Sequence, residues 1–192
     1  MFSGNISELK KKAYVYTGCR ADRPDEKIYS MCDRAIEELD KIAQFQYQYV
    51  RFDAIIDELD KEPYRKFLQG APWYYLAAMT LGETVDRRVH QLSVTDMAYM
   101  VVFNAVAAAY LECMADEFEE KNLSGGPFFR FCPGYGGSSV TDLFLLKKYL
   151  PVEKIHIQVM DSGMLLPEKS MIGIVAPKKP ATRPDAVIEG KD

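Results

Sequence analysis

Fifteen consecutive uncharged residues, Met97 to Leu111, separate Asp96 from Glu112, and Ala105, Ala107, Ala108 and Ala109 lie among them. A helix that is apolar nearly all round cannot rest on a surface, so it must be central and packed on several sides. The tetrapeptide Ser93-Val94-Thr95-Asp96 is close to a capping box, with an acidic residue that also suits the helix dipole, and predicts one helix from Ser93 to about Lys121. Every other element then has to supply an apolar face against it. With 48% apolar residues in 192, the chain has enough to build that shell and offset its conformational entropy.

From Asp25, the positions Ile28, Met31, Cys32, Ala35, Leu39, Ile42 and Ala43 recur at spacings of three and four, which predicts a helix capped by Asp25 and ending near Ala43. Gln44 to Tyr49 alternates polar and aromatic residues, the pattern of a strand with one buried face. After breaks at Pro63 and at Gly70 to Pro72, Trp73 to Thr80 reads as a buried strand turning at Gly82, and Glu83 to Leu92 as a helix. Phe128 to Cys132 predicts a strand, Pro133 to Gly137 a break, and Ser138 or Ser139 a cap for a helix to Leu150. Ile155, Ile157 and Val159 alternate with polar residues, and Ser170 to Ala176 is a second apolar run, so two further strands flank a loop from Asp161 to Lys169. Five strands and four or five helices in no strict βαβ order predict an α+β fold. It has a mixed or antiparallel twisted sheet, a long central helix and flanking helices. One domain is expected over residues 1–176. Three prolines and seven charges in the last 16 residues predict a flexible tail over 177–192.

Charge narrows the partners. With 24 Lys and Arg against 28 Asp and Glu, the net charge of −4 leaves no cationic surplus for a polyanion, so nucleic acid is not an expected partner. Lys10, Lys11 and Lys12 read as a solvated helix face. No run of about 18 apolar residues and no basic-then-apolar N-terminus occurs, which predicts neither a membrane span nor a signal peptide, and a cytoplasmic protein. Cys19, Cys32, Cys113 and Cys132 are widely spaced, with only His90 and His156 to complete a metal site, and read as reduced core thiols.

The segment Arg130-Phe131-Cys132-Pro133-Gly134-Tyr135-Gly136-Gly137 carries the clearest binding chemistry. A planar guanidinium at a strand end precedes a glycine-rich turn whose backbone is open to a ligand, with an aromatic ring inside it. Arg130 could pair with a carboxylate, the backbone could hold an ammonium or a nucleobase edge, and Tyr135 could stack; alternatively, Arg130 makes a surface ion pair beside a tight turn. Glu112, the first charge after the uncharged run, has Ala108 and Ala109 at i−4 and i−3. It either faces an amine-bearing ligand in the space they leave or marks where the helix meets solvent, as Asp116 and Glu117 suggest. A nucleophilic Cys132 served by His90 or His156 has no supporting spacing. No P-loop, dinucleotide, zincin or nucleophile-elbow motif occurs.

Arg130-x-x-x-Gly134-Tyr135, the Ala-rich helix before it, Pro167-x-x-Ser170 before an apolar strand, and Thr80-Leu81-Gly82 upstream together resemble the S-adenosylmethionine-binding activation domain of cobalamin-dependent methionine synthase. The match covers about Trp73 to Ala176. The short length is similar to a subgroup in which this domain is a separate protein. The resemblance implies an accessory module rather than a complete enzyme. It would present S-adenosylmethionine for reductive methylation of oxidised cobalamin held by a methionine synthase or another corrinoid protein, with an electron from a flavodoxin-like donor. It implies that Arg130 binds the methionine carboxylate, that backbone around Cys132 and Gly134 holds the adenosyl and amino groups, and that Tyr135 and Glu112 complete the pocket. An N-terminal aspartate of the family has Asp22, Asp25 and Asp33 as candidates. Large family members continue with a Pro-Ala-Cys-Pro type stretch where this chain has Gly136-Gly137-Ser138-Ser139, and their C-terminal aromatic pair has no counterpart here. A ligand-free interaction or regulatory protein for corrinoid methyltransferases is the alternative reading.

Overall fold

The computed structural model describes residues 4–19 and 25–178. Asp22 and residues 179–192 of the expected tail lie outside the described residues. Helix α1 (Ile6–Tyr16) starts where Asn5 Oδ1 accepts from the Ser7 and Glu8 amides at 3.1 and 3.2 Å. Helix α2 (Glu26–Ile42) is capped as the sequence predicts: Asp25 Oδ1 accepts from Lys27 and Ile28 N–H at 2.9 and 3.2 Å, and Cys32, Ala35, Ile36 and Leu39 form its buried stripe. Strand β1 (Gln46–Phe52) begins two residues later than the alternation suggests and lies at the sheet edge. A short α3 (Tyr64–Leu68) leads to β2 (Tyr74–Thr80), every residue of which is buried.

Helices α4 (Glu83–Thr95) and α5 (Met97–Asn122) meet at Asp96. This corrects the predicted cap. The Ser93 and Thr95 hydroxyls turn back to donate to the His90 and Gln91 carbonyls at 2.7 and 3.0 Å, which keeps them inside α4. Asp96 breaks the helix with φ −155° and ψ 80°, and its Oδ1 accepts from Tyr99 N–H at 3.1 Å to start α5. Helix α5 is long and apolar enough to span a bilayer by length and composition, which the absence of an unbroken apolar run had excluded. Here α1, α2 and α4 pack on it, and its Phe118 ring lies 4.2 and 5.7 Å from those of Tyr47 and Tyr49 in β1. The uncharged run is thus the centre of the larger core.

Strand β3 (Phe128–Phe131) follows. The predicted helix to Leu150 is reduced to a 3-10 turn, Val140–Asp142, and a four-residue α6 (Leu143–Leu146), because the chain continues in i+3 bonds from the Lys148 and Tyr149 amides. A 3-10 turn, Val152–Ile155, takes the first residue of the alternating Ile155-Ile157-Val159 segment, and Ile155 and Ile157 are both buried in the second core. Only β4 (Gln158–Val159) pairs, with β5 (Leu165–Leu166) inside the predicted loop. Strand β6 (Ser170–Pro177) runs one residue past its predicted end. The main sheet has the order β1-β2-β6-β3 and all its pairs are antiparallel, so the fold is α+β with an antiparallel sheet. Successive β2 residues serve opposite layers. Tyr75, Ala77 and Met79 face the helices, while Tyr74, Leu76 and Ala78 face a second core with Ile172, Ile174 and Leu146.

Candidate functional site

Strand register does most of the placing. In β3, Arg130 lies opposite Val175 and Phe131 opposite Ile174 of β6. Alternation sends the Phe131 ring to the second core, where it lies 5.5 Å from Tyr64 and 5.3 Å from Phe67, and turns Arg130 and Cys132 toward α5. They fit there because β6 presents Gly173 beneath them: a Cβ at that position would stand 2.9 Å from the Phe131 carbonyl oxygen and 3.0 Å from Cys132 Sγ. Beyond the turn, Asp142 accepts from Tyr64 Oη at 2.7 Å and from Lys61 Nζ at 2.8 Å, which anchors the segment leading away from Gly137.

Helix α5 contributes Glu112, Asp116 and Glu119, whose spacing places three carboxylates along one face. Arg130 Nη2 donates to Asp116 Oδ1 at 2.8 Å, and Nη1 donates to Glu119 Oε1. These bonds engage two of the five guanidinium N–H donors. The partners differ in setting, since the side chain of Glu119 is 7% exposed and that of Asp116 45%. Helix α1 closes the arrangement. Lys12 Nζ donates to Asp116 Oδ2 at 2.7 Å and Tyr16 Oη to Glu112 Oε1 at 2.7 Å. Of the basic run, Lys10, paired with Asp33 at 2.8 Å, and Lys11 are exposed as expected, whereas Lys12 sits in this network.

The electrostatics follow from burial. It raises the Glu119 carboxyl above its ordinary range, with Arg130 only partly offsetting the effect. It also works against the charge of Arg130, but Glu119 and Asp116 more than reverse this and hold the guanidinium above its usual value. Burial, followed by the hydrogen bond to Glu112, pushes the Tyr16 phenol up to about 12. The Cys132 thiol is pushed up to about 11 by burial, against the pull of Arg130. A thiol held there is protonated at neutral pH, which works against a nucleophilic role. A maleimide or iodoacetamide should accordingly leave Cys132 unlabelled at pH 7 and modify it progressively above pH 10. Rapid labelling at pH 7, read by mass spectrometry, would contradict this placement.

These groups border a cleft of about 710 Å³ between α5, β3 and the turn. Of the residues the sequence singles out, Glu112, Arg130, Cys132 and Tyr135 line it together, as does Ala108, the small neighbour expected to leave space beside Glu112. Tyr135 is 74% exposed. Gly134 is not part of the lining, and the turn is less open than its glycines suggest. Gly134 N–H donates to Ser138 Oγ at 3.0 Å, Ser138 Oγ donates to the Tyr135 carbonyl at 2.7 Å, and Tyr135 N–H reaches the Cys132 carbonyl at 3.4 Å. The positive φ angles of Gly134, Gly136 and Gly137, 95°, 58° and 86°, make this closed turn possible. Neither histidine lines the cleft. Asp25 is spent as a helix cap and Asp33 on Lys10, so neither aspartate reaches it.

Tyr16, Asp116, Glu119, Lys12 and Gly173 belong to this arrangement without standing out as binding residues in the sequence. The 112, 116, 119 spacing was the available signal for the carboxylate row, but nothing local says that the row faces a strand rather than water.

No family model matches the chain, and no curated protein matches its sequence. Among solved structures, a crystal structure of the MetH reactivation domain bound to AdoHcy has a similar fold, with a TM-score of 0.67 at 15% sequence identity over 96% of this chain and 79% of that one. The chain therefore has the fold that the resemblance in its sequence implies.

Proposed function

We propose that the cleft binds S-adenosylmethionine, and that the protein assists reductive remethylation of the cobalamin held by a methionine synthase or related corrinoid protein. The observation that carries this reading is the convergence of Glu112, Arg130, Cys132 and Tyr135, from a helix, a strand and a turn, on one cleft. A fold shared with a domain that has been solved with AdoHcy supports it.

The residues fit such a ligand. About 710 Å³ is in the range of sites that enclose small molecules. The amino-acid end of S-adenosylmethionine carries a carboxylate, which matches the planar guanidinium fork of Arg130. Its ammonium and sulfonium cations suit the Glu112 carboxylate on the cleft wall. Tyr135, exposed at the rim, offers an aromatic face to the adenine. In the proposed reaction, one electron from a flavodoxin-like donor and the methyl group of S-adenosylmethionine restore methylcobalamin on the partner, leaving S-adenosylhomocysteine. This chain's share is binding and orientation: Arg130 fixes the carboxylate end and Glu112, held by Tyr16, faces the cationic end.

One observation favours a second reading, an interaction protein without a small ligand. Arg130 already holds two carboxylates, and the Gly134 amide is satisfied by Ser138. Arg130→Lys separates the two. It keeps a cation beside Glu119 but loses the planar fork that matches a carboxylate. If the site binds S-adenosylmethionine, the variant loses at least about tenfold in ligand affinity and, in a remethylation assay with a cobalamin-loaded partner and an electron donor, proportionate activity. Partner binding stays at the wild-type level. If the protein only docks, neither wild type nor variant gives a ligand signal and both bind the partner equally.

A further inference from the structure

The two carboxylates on Arg130 are not equivalent. Glu119 is buried and pairs with one end of the guanidinium, so removing it would strand a charge away from water. Asp116 is half-exposed, and its second oxygen already belongs to Lys12 of α1 at 2.7 Å. Lys12 also lies within 3.8 Å of Glu8, and its side chain is 28% exposed, so α1 keeps a cation in place whether or not Asp116 holds Arg130. A carboxylate that lets go of Arg130 would retain an ion pair and water, and leave no buried orphan.

We propose that Asp116 is a displaceable internal ligand of Arg130: the carboxylate of the bound amino-acid moiety takes its place on Nη2, and Lys12 retains the released side chain. This rests on the proposed binding of S-adenosylmethionine in the cleft and explains how an arginine already paired with two acids can still accept a third. Glu119 stays as the fixed counter-charge, so the guanidinium is neutralised in both states. Lys12, which does not line the cleft, becomes a positioning residue that sets how readily Asp116 yields.

Each variant changes S-adenosylmethionine affinity in a definite direction, measured by calorimetry on the full chain with folding checked by circular dichroism. Asp116→Asn weakens the internal competitor and should tighten binding about threefold to fivefold, the range of a partly exposed ion pair. Lys12→Met removes the cation that holds the released carboxylate and should weaken binding by a similar factor, while Lys12→Arg should match wild type. In the Asp116→Asn background, Lys12→Met should have no further effect. A simple long-range field from Lys12 would persist in that background, and such persistence would overturn the exchange. Weaker binding by Asp116→Asn, which would make Asp116 a ligand contact, would overturn it as well. A wild-type protein that binds no S-adenosylmethionine removes the binding reading and the exchange together. A wild type that binds while all variants bind alike removes the exchange alone.

Discussion

Arg130→Met is expected to destabilise the fold by about 3–5 kcal/mol at neutral pH, the cost of leaving one member of a buried ion pair without its partner. The stranded group is Glu119, whose side chain is 7% exposed. A carboxyl whose pKa is raised in the folded state binds protons more readily there than in the unfolded chain, so its ionisation works against the fold and the cost grows as pH rises through that value. Burial already raises Glu119, and Arg130 is the largest influence opposing it. Without Arg130 the carboxyl rises further and becomes neutral at milder acidity. The stability gap between variant and wild type should therefore narrow as pH falls. Urea unfolding at pH 7.5 and pH 5 reads this directly; a gap that is constant or widens on acidification would mean that Glu119 is not the stranded charge. Asp116 contributes little to the gap, because it keeps Lys12 and solvent.

Gly173 carries the second large effect. It is not at a turn, and its substitution meets β3 itself: the missing Cβ would lie 2.9 Å from a backbone oxygen and 3.0 Å from Cys132 Sγ, so the strand has to move. Gly173→Ala should cost about 1–3 kcal/mol as an overpacked position, and Gly173→Val more. Because Arg130 and Cys132 ride on the displaced strand, ligand affinity should fall along with stability, and amides of Phe129 to Phe131 should exchange faster than those of β2. A Gly173→Val protein as stable as wild type, with unchanged β3 exchange, would show that β3 does not pack against this position.

What the sequence made legible was the part governed by local physics. The uncharged run requires a central helix, Asp25 requires a cap, and the apolar stripe after it requires one buried face; the structure has all three. The Arg130 to Gly137 segment announces itself by composition, and Glu112 by its isolation. The rest depends on distant pairing. Lys12 and Tyr16 meet Asp116 and Glu112 across about a hundred residues of chain, so no window of sequence contains the contact. Asp116 and Glu119 resemble the solvated end of a helix until β3 is laid beside them. Gly173 reads as one small residue in an apolar strand until its register with Phe131 is known. The misplaced cap at Ser93 has a local cause of another kind: serine and threonine hydroxyls can bond back into the preceding turn as well as forward, and here they go back.

The central claim is that the cleft between α5 and β3 holds S-adenosylmethionine, and titration calorimetry of the wild-type chain with that ligand tests it most directly. The expected result is saturable one-to-one binding that Arg130→Lys weakens at least about tenfold. Absence of binding at millimolar ligand, both alone and with a cobalamin-loaded partner present, would contradict it.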